Sequence, residues 1–315
     1  MPAPLLLLDS AALYYRAFYS QPTSLVRPDG TSVNAVRGFL DAVARFIVDT
    51  NARQVIAAWD EDWRPAWRVE LIPSYKAHRV AGEGENTSAS TSESPESEPA
   101  ELTAQVPMIL TALETVGIPV VGLPHHEADD VLGSLAAQLD GPAVVVTGDR
   151  DLFALIDDDR QISVLYTGRG PAQHITGAQV REQYGIEPWQ YVDMAVLRGD
   201  PSDGLPGVKG IGPKTATALL QEFGSLTALR AAAAEGSDAI KPKVRDSIVA
   251  SSGYLDAALR VVRPVADLPL PVLGAAGSRP TSIDMTRIDQ LGVEWNSKAS
   301  LGRIAAVMQA HATDE

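Results

Sequence analysis

The sequence predicts an α/β fold in which a parallel sheet with intervening helices is followed by a helical region. In the first half of the chain, short apolar runs of strand length alternate with longer helical patterns, which is typical of βαβ units. The predicted strands are residues 5–8, 55–59, 118–121, 143–147 and, at an edge of the sheet, 162–166. The predicted helices between them are residues 34–49, 102–116 and 128–139.

After about residue 175 the strand pattern gives way to Ala-rich stretches, which predict a helical second region. Its predicted helices are residues 215–223, 225–234, 243–250, 253–262 and 298–312. The segment 264–285 is rich in Pro and Gly and is expected to be irregular. Residues 82–101 contain six Glu, no basic residue and no large apolar residue. They predict a disordered loop, because they cannot bury enough apolar surface to offset their ordering entropy.

Composition excludes several classes of protein. With 45% hydrophobic and 21% charged residues, the 315-residue chain is typical of a globular protein. It contains no apolar run long enough to span a membrane, and its N-terminal LLLL run, which ends at Asp9, predicts a first strand and not a signal peptide. The absence of cysteine excludes disulfides and thiolate metal sites and favours a cytoplasmic protein. A net charge of −14 argues against nucleic acid as a partner unless the negative charge is concentrated in a metal site or a tail.

Acidic residues follow three of the four predicted core strands, namely Asp9, Asp60 and Asp149. Because the carboxyl ends of parallel strands share one edge of a sheet, these three side chains are expected to lie close together. Further acids are grouped in three short segments: Glu127, Asp129 and Asp130; Asp151; and Asp200 and Asp203. Any one of these residues could be an ordinary turn former or helix cap. Together they exceed what turns and caps require.

Crowded carboxylates need a cation between them, and a chain without cysteine and with only five His favours a hard ion bound by oxygen. Mg²⁺ or Mn²⁺ is therefore expected. Two such ions serve phosphoryl transfer, because one prepares a hydroxide and both stabilise the charge of an in-line displacement. Arg150, between Asp149 and Asp151, has no role that the sequence assigns.

Two basic segments could contact phosphate. In residues 207–224 a Gly-x-Gly turn precedes a helix, which is either a phosphate-binding hairpin or an ordinary helix–helix connection. Its candidate residues are Gly207, Lys209, Gly210, Gly212 and Lys214. Earlier in the chain, Tyr75, Lys76 and Arg79, and separately Arg16 with its neighbouring tyrosines, are either a solvated helix face or contacts to phosphate and to a displaced base.

These segments, in their order, resemble the 5′-nuclease (flap endonuclease) superfamily, in particular the bacterial 5′→3′ exonuclease domain that often precedes DNA polymerase I. The resemblance covers about residues 5–265, and it is carried by the motifs LLLLD, AAWD, PSYKAHR, EADDVLG, TGDRDLFAL and GDPSDGLPGVKGIGPKTA. It implies a PIN-like catalytic core over residues 1–175 and a helix–hairpin–helix DNA-binding region over 176–265. A C-terminal extension, 266–315, is expected to pack on the core.

The resemblance also implies a site. One metal ion would be bound by Asp9, Asp60, Glu127, Asp129 and Asp130. A second would be bound by Asp149, Asp151, Asp200 and Asp203, with Asp129 or Asp130 able to serve both ions. Lys76 and Arg79 would contact the scissile phosphate. The hairpin 207–214 would bind the duplex backbone, and its carbonyls could hold K⁺.

The implied activity is metal-dependent hydrolysis of DNA, or of RNA in RNA–DNA hybrids, near a 5′ end or flap junction in replication and repair. The expected protein is a monomer of the bacterial cytoplasm, associated with the nucleoid when it acts. It would be a stand-alone nuclease, because 315 residues leave no room for a polymerase. The alternatives are a PIN-type ribonuclease, against which the hairpin argues, and a catalytically silent branched-DNA-binding protein, against which the complete set of acids argues. The acidic residues 82–101 stand where relatives carry a basic helical arch, and they either repel non-specific nucleic acid or form an inert linker.

Overall fold

A computed structural model of the chain describes residues 3–80, 99–168, 170–270 and 283–312. Six strands form one sheet in the order β3-β2-β1-β4-β5-β6, with every neighbouring pair parallel except β5 and β6. The strands are β1 (Leu5–Asp9), β2 (Gln54–Ala58), β3 (Val120–Val121), β4 (Ala143–Thr147), β5 (Ile162–Tyr166) and β6 (Gln173–Ile175). The strand order reverses between β1 and β4, which is where open α/β sheets form their ligand-binding crevice.

Helices cover both faces of the sheet, and they are the main elements described after β6. Before and between the strands lie α1 (Ser10–Ser20), α2 (Asn34–Thr50), α3 (Ala66–Leu71), α4 (Ala77–Val80), α5 (Ala100–Thr103), α6 (Val106–Thr115) and α7 (Ala128–Gln138). After the sheet come α8 (Gly177–Tyr184), α9 (Tyr191–Arg198), α10 (Pro213–Phe223), α11 (Leu226–Ala234), α12 (Pro242–Ala250), α13 (Ser252–Val262), α14 (Met285–Glu294) and α15 (Lys298–Ala312). Short 3-10 helices occur at Asp151–Leu155, Pro188–Gln190 and Pro201–Asp203. Of the helices in these described ranges, none is long and apolar enough to cross a membrane.

The continuous apolar run of β1 is explained by burial on both faces. Leu5 and Leu7 belong to a core that continues through α7, α9, α10 and α13. Leu6 and Leu8 belong to a second core on the opposite face, which is filled by α1, α2, α6, α14 and α15. The first core passes from the sheet into the helical region without interruption, so packing marks no boundary at residue 175, and the predicted division there stays a prediction.

The predicted fold class is confirmed, with several local corrections. The edge strand is β6 and not β5, because residues 173–175 return antiparallel to β5. The single helix predicted over 102–116 is two helices, α5 and α6. Between them lies Gln105, whose buried amide accepts hydrogen bonds from Ala35 N (2.8 Å) and Val36 N (3.3 Å) at the start of α2. The N-cap residue of α2 forms no side-chain hydrogen bond. Gln105, which lies in the break between α5 and α6, supplies that cap instead.

Two predicted irregular segments are only partly described. Most of the expected disordered loop, residues 82–98, lies outside the described residues. Its last two positions, Ala100 and Glu101, begin α5, so that expectation is wrong for them. In the Pro- and Gly-rich segment, residues 264–270 and 283–284 are non-helical as expected and α14 begins at Met285, whereas 271–282 lie outside the described residues. Helices α1, α3, α4, α8, α9 and α14 were not predicted; several are short, and α1 follows β1 without an intervening turn.

Candidate active site

The carboxyl edge of the sheet gathers acids from three strands. Asp9 is the last residue of β1, and Asp60 and Asp149 follow β2 and β4 by two residues. Charge repulsion from both Asp60 and Asp149 contributes to the raised pKa of Asp9, so the three carboxylates are close enough to interact. The sequence-based expectation that these strand ends meet is confirmed.

Asp9 is the most deeply placed of the three. It is 6% exposed, and its carboxylate accepts hydrogen bonds from Thr147 Oγ1 (2.6 Å) and from Ala12 N (3.2 Å) in the first turn of α1. Burial raises its pKa from 3.8 to about 7, although the bond from Thr147 lowers it. Thr147 also accepts a hydrogen bond from Asp149 N (2.9 Å) and so joins two of the acids. The sequence analysis missed Thr147; its place directly before the TGDRD acids was the available signal.

The acids at the start of α7 are held by capping. Asp60 accepts a hydrogen bond from Ala128 N (2.7 Å), and Glu127 forms a capping box with Asp130. These contacts satisfy amide groups that have no partner within the helix, and they bring the acids to the positive end of its dipole. The capping interpretation is therefore confirmed for this segment, and a further role for these acids stays a prediction.

Glu127 is surrounded by donors. It accepts a hydrogen bond from the Tyr75 hydroxyl (2.9 Å) and from Lys76 Nζ (2.7 Å), and Arg68 Nη1 lies 3.4 Å from Oε1. Burial raises the pKa of Glu127, whereas Lys76 and Arg68 oppose that rise. Burial alone would lower the pKa of Lys76, but Glu127 and Asp203 raise it overall, so Lys76 stays charged.

These contacts correct the prediction for Tyr75. The residue is 3% exposed and its hydroxyl is bonded to Glu127, so its ring offers no face on which a displaced base could stack. The PSYKAHR motif gave no sign of this, because a tyrosine that packs inward and one that points outward look alike in a sequence.

Asp130 is held in an ion pair with Arg68 that was not predicted from the sequence. It is completely buried, and its carboxylate contacts Arg68 Nη2 (2.7 Å), Val265 N (3.0 Å), Glu127 N (3.3 Å) and His126 Nδ1 (3.3 Å). Both oxygens are therefore engaged by protein groups. This arrangement differs from the predicted one, in which Asp130 coordinates metal.

Arg68 is the partner that makes this burial possible. It is 2% exposed, stacks over Trp67 at 4.7 Å, and donates to the Val261 carbonyl (3.0 Å) at the end of α13. It thereby links α3 and α7 of the sheet region to the helical region. Its position in the apparently ordinary helix AWRVEL gave no signal for this role.

Three acids face the cleft with fewer contacts. The pKa values of Asp129 and Asp151 are raised well above the usual range, by burial and by neighbouring carboxylates, and that of Asp149 is raised for the same reasons. Asp149 accepts a hydrogen bond from Asp151 N (2.8 Å), so the GDRD turn expected from the sequence is present. Within the described residues, Asp129 and Asp151 accept no side-chain hydrogen bond, which leaves their carboxylates available.

Asp200 and Asp203 approach the same cluster on a turn. Charge repulsion from Asp203, and to a lesser degree from Asp200, contributes to the raised pKa of Asp149. Gly204 (φ +71°) allows this approach, because a Cβ there would lie 2.0 Å from the Ser74 carbonyl oxygen. Arg79 donates to Asp203 (3.1 Å), so this predicted cation lies beside the acids.

Arg198 is a second cation that the sequence analysis missed. Its Nη2 lies 3.6 Å from Asp200, it stacks over Tyr191 at 5.7 Å, and its charge lowers the pKa of Asp151. It precedes Gly199-Asp200 directly, at the end of α9. The sequence shows that Arg198 is close to the acidic loop, but it does not show that the side chain points toward Asp200 and Asp151.

Across the described ranges, no three acidic or histidine side chains are already arranged as the coordination shell of a metal ion. The donor set nevertheless fits hard divalent cations, because it consists of carboxylates at the strand reversal whose raised pKa values reflect mutual repulsion. A cation would relieve that repulsion.

The Gly-rich segment forms the turn before α10. Gly210 has φ +84° and Gly212 is the N-cap of α10; both are exposed, and a Cβ at either would meet no neighbouring atom. Lys209 and Lys214 are also exposed. A ligand therefore has access to this turn, as a phosphate-binding hairpin requires.

Gly207 has a different role from the one predicted. Its amide donates to the Tyr254 hydroxyl (3.0 Å), and a Cβ there would lie 2.5 Å from backbone atoms of Arg198 and Gly199. Gly207 therefore allows the turn to pack against the end of α9, and its amide is not free to bind phosphate.

Arg16 is engaged with the chain that leaves β5. Its guanidinium donates to the carbonyls of Thr167, Gly168 and Gly170, the last at 2.7 Å. The residue is exposed, but these bonds orient it toward the sheet connection. This structural role accounts for its hydrogen bonds without a nucleic acid.

The raised pKa values predict how stability depends on pH. The folded state holds a proton on Asp9 up to about pH 7, whereas the unfolded chain releases it near 3.8. The folded state thus binds more protons within this window, so the stability of the metal-free protein falls as pH rises through it.

We expect the Tm in EDTA to decrease between pH 5.5 and pH 8, and Mn²⁺ to raise it most at pH 8, measured by calorimetry. Asp9→Asn, which retains the cap of α1, should weaken the pH dependence; an unchanged slope would contradict the assignment.

Comparison with known proteins identifies both halves of the chain. Residues 4–185 match the model of the N-terminal resolvase-like domain of 5′-3′ exonucleases, and residues 186–281 match the model of their C-terminal SAM fold. A 5′-3′ exonuclease of Streptomyces coelicolor is 46% identical over 97% of this chain and 100% of its own length. One from Mycobacterium tuberculosis is 42% identical over 96% of this chain and 97% of its own. A solved structure of the flap endonuclease of bacteriophage T5, with DNA and metal ions, is similar in fold (TM-score 0.63, 18% identity, covering 98% of this chain and 99% of that one).

Proposed function

Because the chain belongs to the 5′-3′ exonuclease family, we propose that this nuclease hydrolyses phosphodiester bonds of DNA near 5′ ends and 5′-flap junctions, using divalent cations held by the acidic cluster. The observation that carries the proposal is the position of the cluster. Carboxylates from β1, β2, β4, α7 and the 200–203 turn meet where the strand order reverses, and five of them have raised pKa values through burial and repulsion.

The cluster divides into two groups of ligands. We assign Asp9, Asp60, Glu127 and Asp129 to one cation, and Asp149, Asp151, Asp200 and Asp203 to the second. Asp130 is assigned a positioning role, because its oxygens are bonded to Arg68, His126 and backbone amides. Asp129 is the acid best placed to serve both groups, since it interacts with Asp9 and with Asp149. Mg²⁺ and Mn²⁺ are the proposed ions.

When bound, such ions lower the pKa of water and neutralise charge that develops on a phosphate during in-line displacement. The chain itself supplies the rest. Asp9 and Asp149 are held by Thr147, and Glu127 is oriented by Tyr75 and Lys76. Lys76 and Arg79, which keep positive charge beside the acids, are proposed to bind the scissile phosphate. Nothing in this arrangement requires a protein nucleophile.

The turn 207–214 is proposed to bind the backbone of duplex DNA. Its exposed glycines and lysines before and at the start of α10 match phosphate, and such contacts carry no base specificity. Carbonyls of the same turn are proposed to hold K⁺. We further propose that the protein acts as a monomer and also accepts RNA–DNA hybrids.

A cleavage assay tests the proposal. The protein is incubated with 5′-flap DNA, blunt duplex DNA and single-stranded RNA, in Mn²⁺ or in EDTA. We expect cleavage of the flap DNA that requires the metal, weaker cleavage of the blunt duplex and none of the RNA. Cleavage of RNA alone would favour a PIN-type ribonuclease, and binding without metal-dependent cleavage of any DNA would show a silent branched-DNA-binding protein.

A further inference from the structure

Arg150 lies between two acids of the cluster but does not neutralise them. The cations that lower the pKa values of Asp149 and Asp151 are Lys76 and Arg198, respectively. The side chain of Arg150 instead contacts Tyr166: its Nε donates to the tyrosine hydroxyl (3.2 Å), and its guanidinium lies 5.5 Å from the ring centroid. A cation is thus held next to the acids without being paired with them.

The tyrosine that holds Arg150 is firmly packed. Tyr166 ends β5, beside β4, so it belongs to the same edge of the sheet as Asp149. Its ring packs edge-on against Phe153 at 5.4 Å, and Phe153 is 1% exposed. Gly168 leaves space for the ring, because a Cβ there would lie 2.1 Å from its Cζ and hydroxyl oxygen. A platform of this kind limits the orientations that Arg150 can adopt.

The outer face of Arg150 remains available. The residue is exposed, and among the described residues its Nη1 and Nη2 donate no hydrogen bond to protein. A guanidinium stacked on an aromatic ring with two outward donors is suited to bidentate binding of a phosphate. The proposed phosphate-binding Lys76 pairs with Glu127 at the start of α7, whereas Arg150 lies by β5. Lys76 and Arg150 therefore lie at different positions along the carboxyl edge of the sheet.

We propose that Arg150, held on Tyr166, binds a backbone phosphate of the DNA next to the phosphodiester that is cut, on the β5 side of the acidic cluster. The proposal rests on the proposed function and adds a binding subsite to it. By fixing the neighbouring phosphate, the contact sets the register of the strand relative to the acids. Such a contact is independent of base sequence.

Binding measurements test whether the positive charge of Arg150 contacts a DNA phosphate. Kd for a 5′-flap DNA is measured by fluorescence anisotropy in Ca²⁺ over a series of NaCl concentrations. Arg150→Gln should weaken binding about tenfold, and it should reduce the slope of log Kd against log salt by about 0.9, as expected for one lost phosphate contact. Arg150→Lys should restore most of the slope. Arg303→Gln is the matched control and should leave the slope unchanged, because it removes an exposed arginine of α15 that is paired with Asp41 of α2.

A chemical substitution in the DNA locates the phosphate. Single neutral methylphosphonates are placed at each position that flanks the cleaved bond, and each DNA is titrated with wild type and with Arg150→Gln. One position should weaken binding to wild type but not to the variant. The inference is overturned if no position couples to Arg150, or if Arg150→Gln lowers the Tm and leaves the salt slope unchanged, since Arg150 would then only cover the aromatic core. Cleavage of the unmodified DNA by wild type in Mn²⁺ shows whether the proposed function holds irrespective of that result.

Discussion

Asp149→Ala should lower kcat on a 5′-flap DNA by about 10³-fold or more, because loss of a bound cation removes several kcal/mol of charge stabilisation from the transition state. Asp149 lies at the strand reversal and interacts electrostatically with Asp9, Asp129, Asp151 and Asp203. It therefore lies where both groups of proposed ligands meet. Single-turnover cleavage in Mn²⁺ measures the chemical step without interference from product release.

The same variant should bind flap DNA at least as tightly as wild type. One negative charge is removed near the path of the phosphates, and the turn 207–214 is unchanged. Asp159→Ala is the control, since Asp159 is exposed in the next turn of the chain and is not among the proposed ligands. Asp151→Ala should behave like Asp149→Ala. Cleavage by Asp149→Ala at nearly the wild-type rate would refute the ligand assignment.

Arg68→Met should be the most destabilising of the substitutions considered. It leaves Asp130 fully buried without its cationic partner, and Glu127 loses one of two cations. Breaking a buried ion pair by removing one partner typically costs about 3–5 kcal/mol. The expected decrease in Tm is roughly 10 °C. Calorimetry in EDTA measures this effect without a contribution from metal binding.

Two variants separate this ion pair from a general loss of charge. The double variant Arg68→Met/Asp130→Asn should recover part of the lost stability, because the uncompensated carboxylate is no longer present. Arg181→Met removes an exposed arginine that contacts Asp158 and Glu187, and it should change the Tm little. Equal Tm values for Arg68→Met and Arg181→Met would contradict the central position assigned to Arg68.

The sequence predicted the sheet and the acidic cluster because both depend on local patterns. The runs LLLL and AVVVT are long enough to identify buried parallel strands. Because parallel strands end at the same edge of the sheet, the strand order alone brings the acids that follow them to that edge. Strand β6 escaped notice because three residues, QHI, carry no apolar pattern. Helix α9 was also not predicted; it has only eight residues, and Tyr191–Leu197 are all buried.

What the sequence could not show is the direction in which each side chain points. Asp129 and Asp130 are adjacent, yet Asp129 interacts with the acids of the cleft and Asp130 pairs with Arg68. Tyr75 and Lys76 likewise follow each other, and both point inward to Glu127. Such choices depend on residues far away in the chain, as the contact between Arg68 and Val261 illustrates.

The core on the α2 face of the sheet has a consequence for synthesis of the protein. Leu6 and Leu8 are synthesised long before Leu301 and Ile304 of α15, which complete that core. Until those residues emerge, α1 and α2 present an unfilled apolar surface, and the strand that carries Asp9 is supported on one face only. Nascent chains of this protein should therefore depend on chaperones until late in translation. The nuclease site would then be assembled only after α15 has been made.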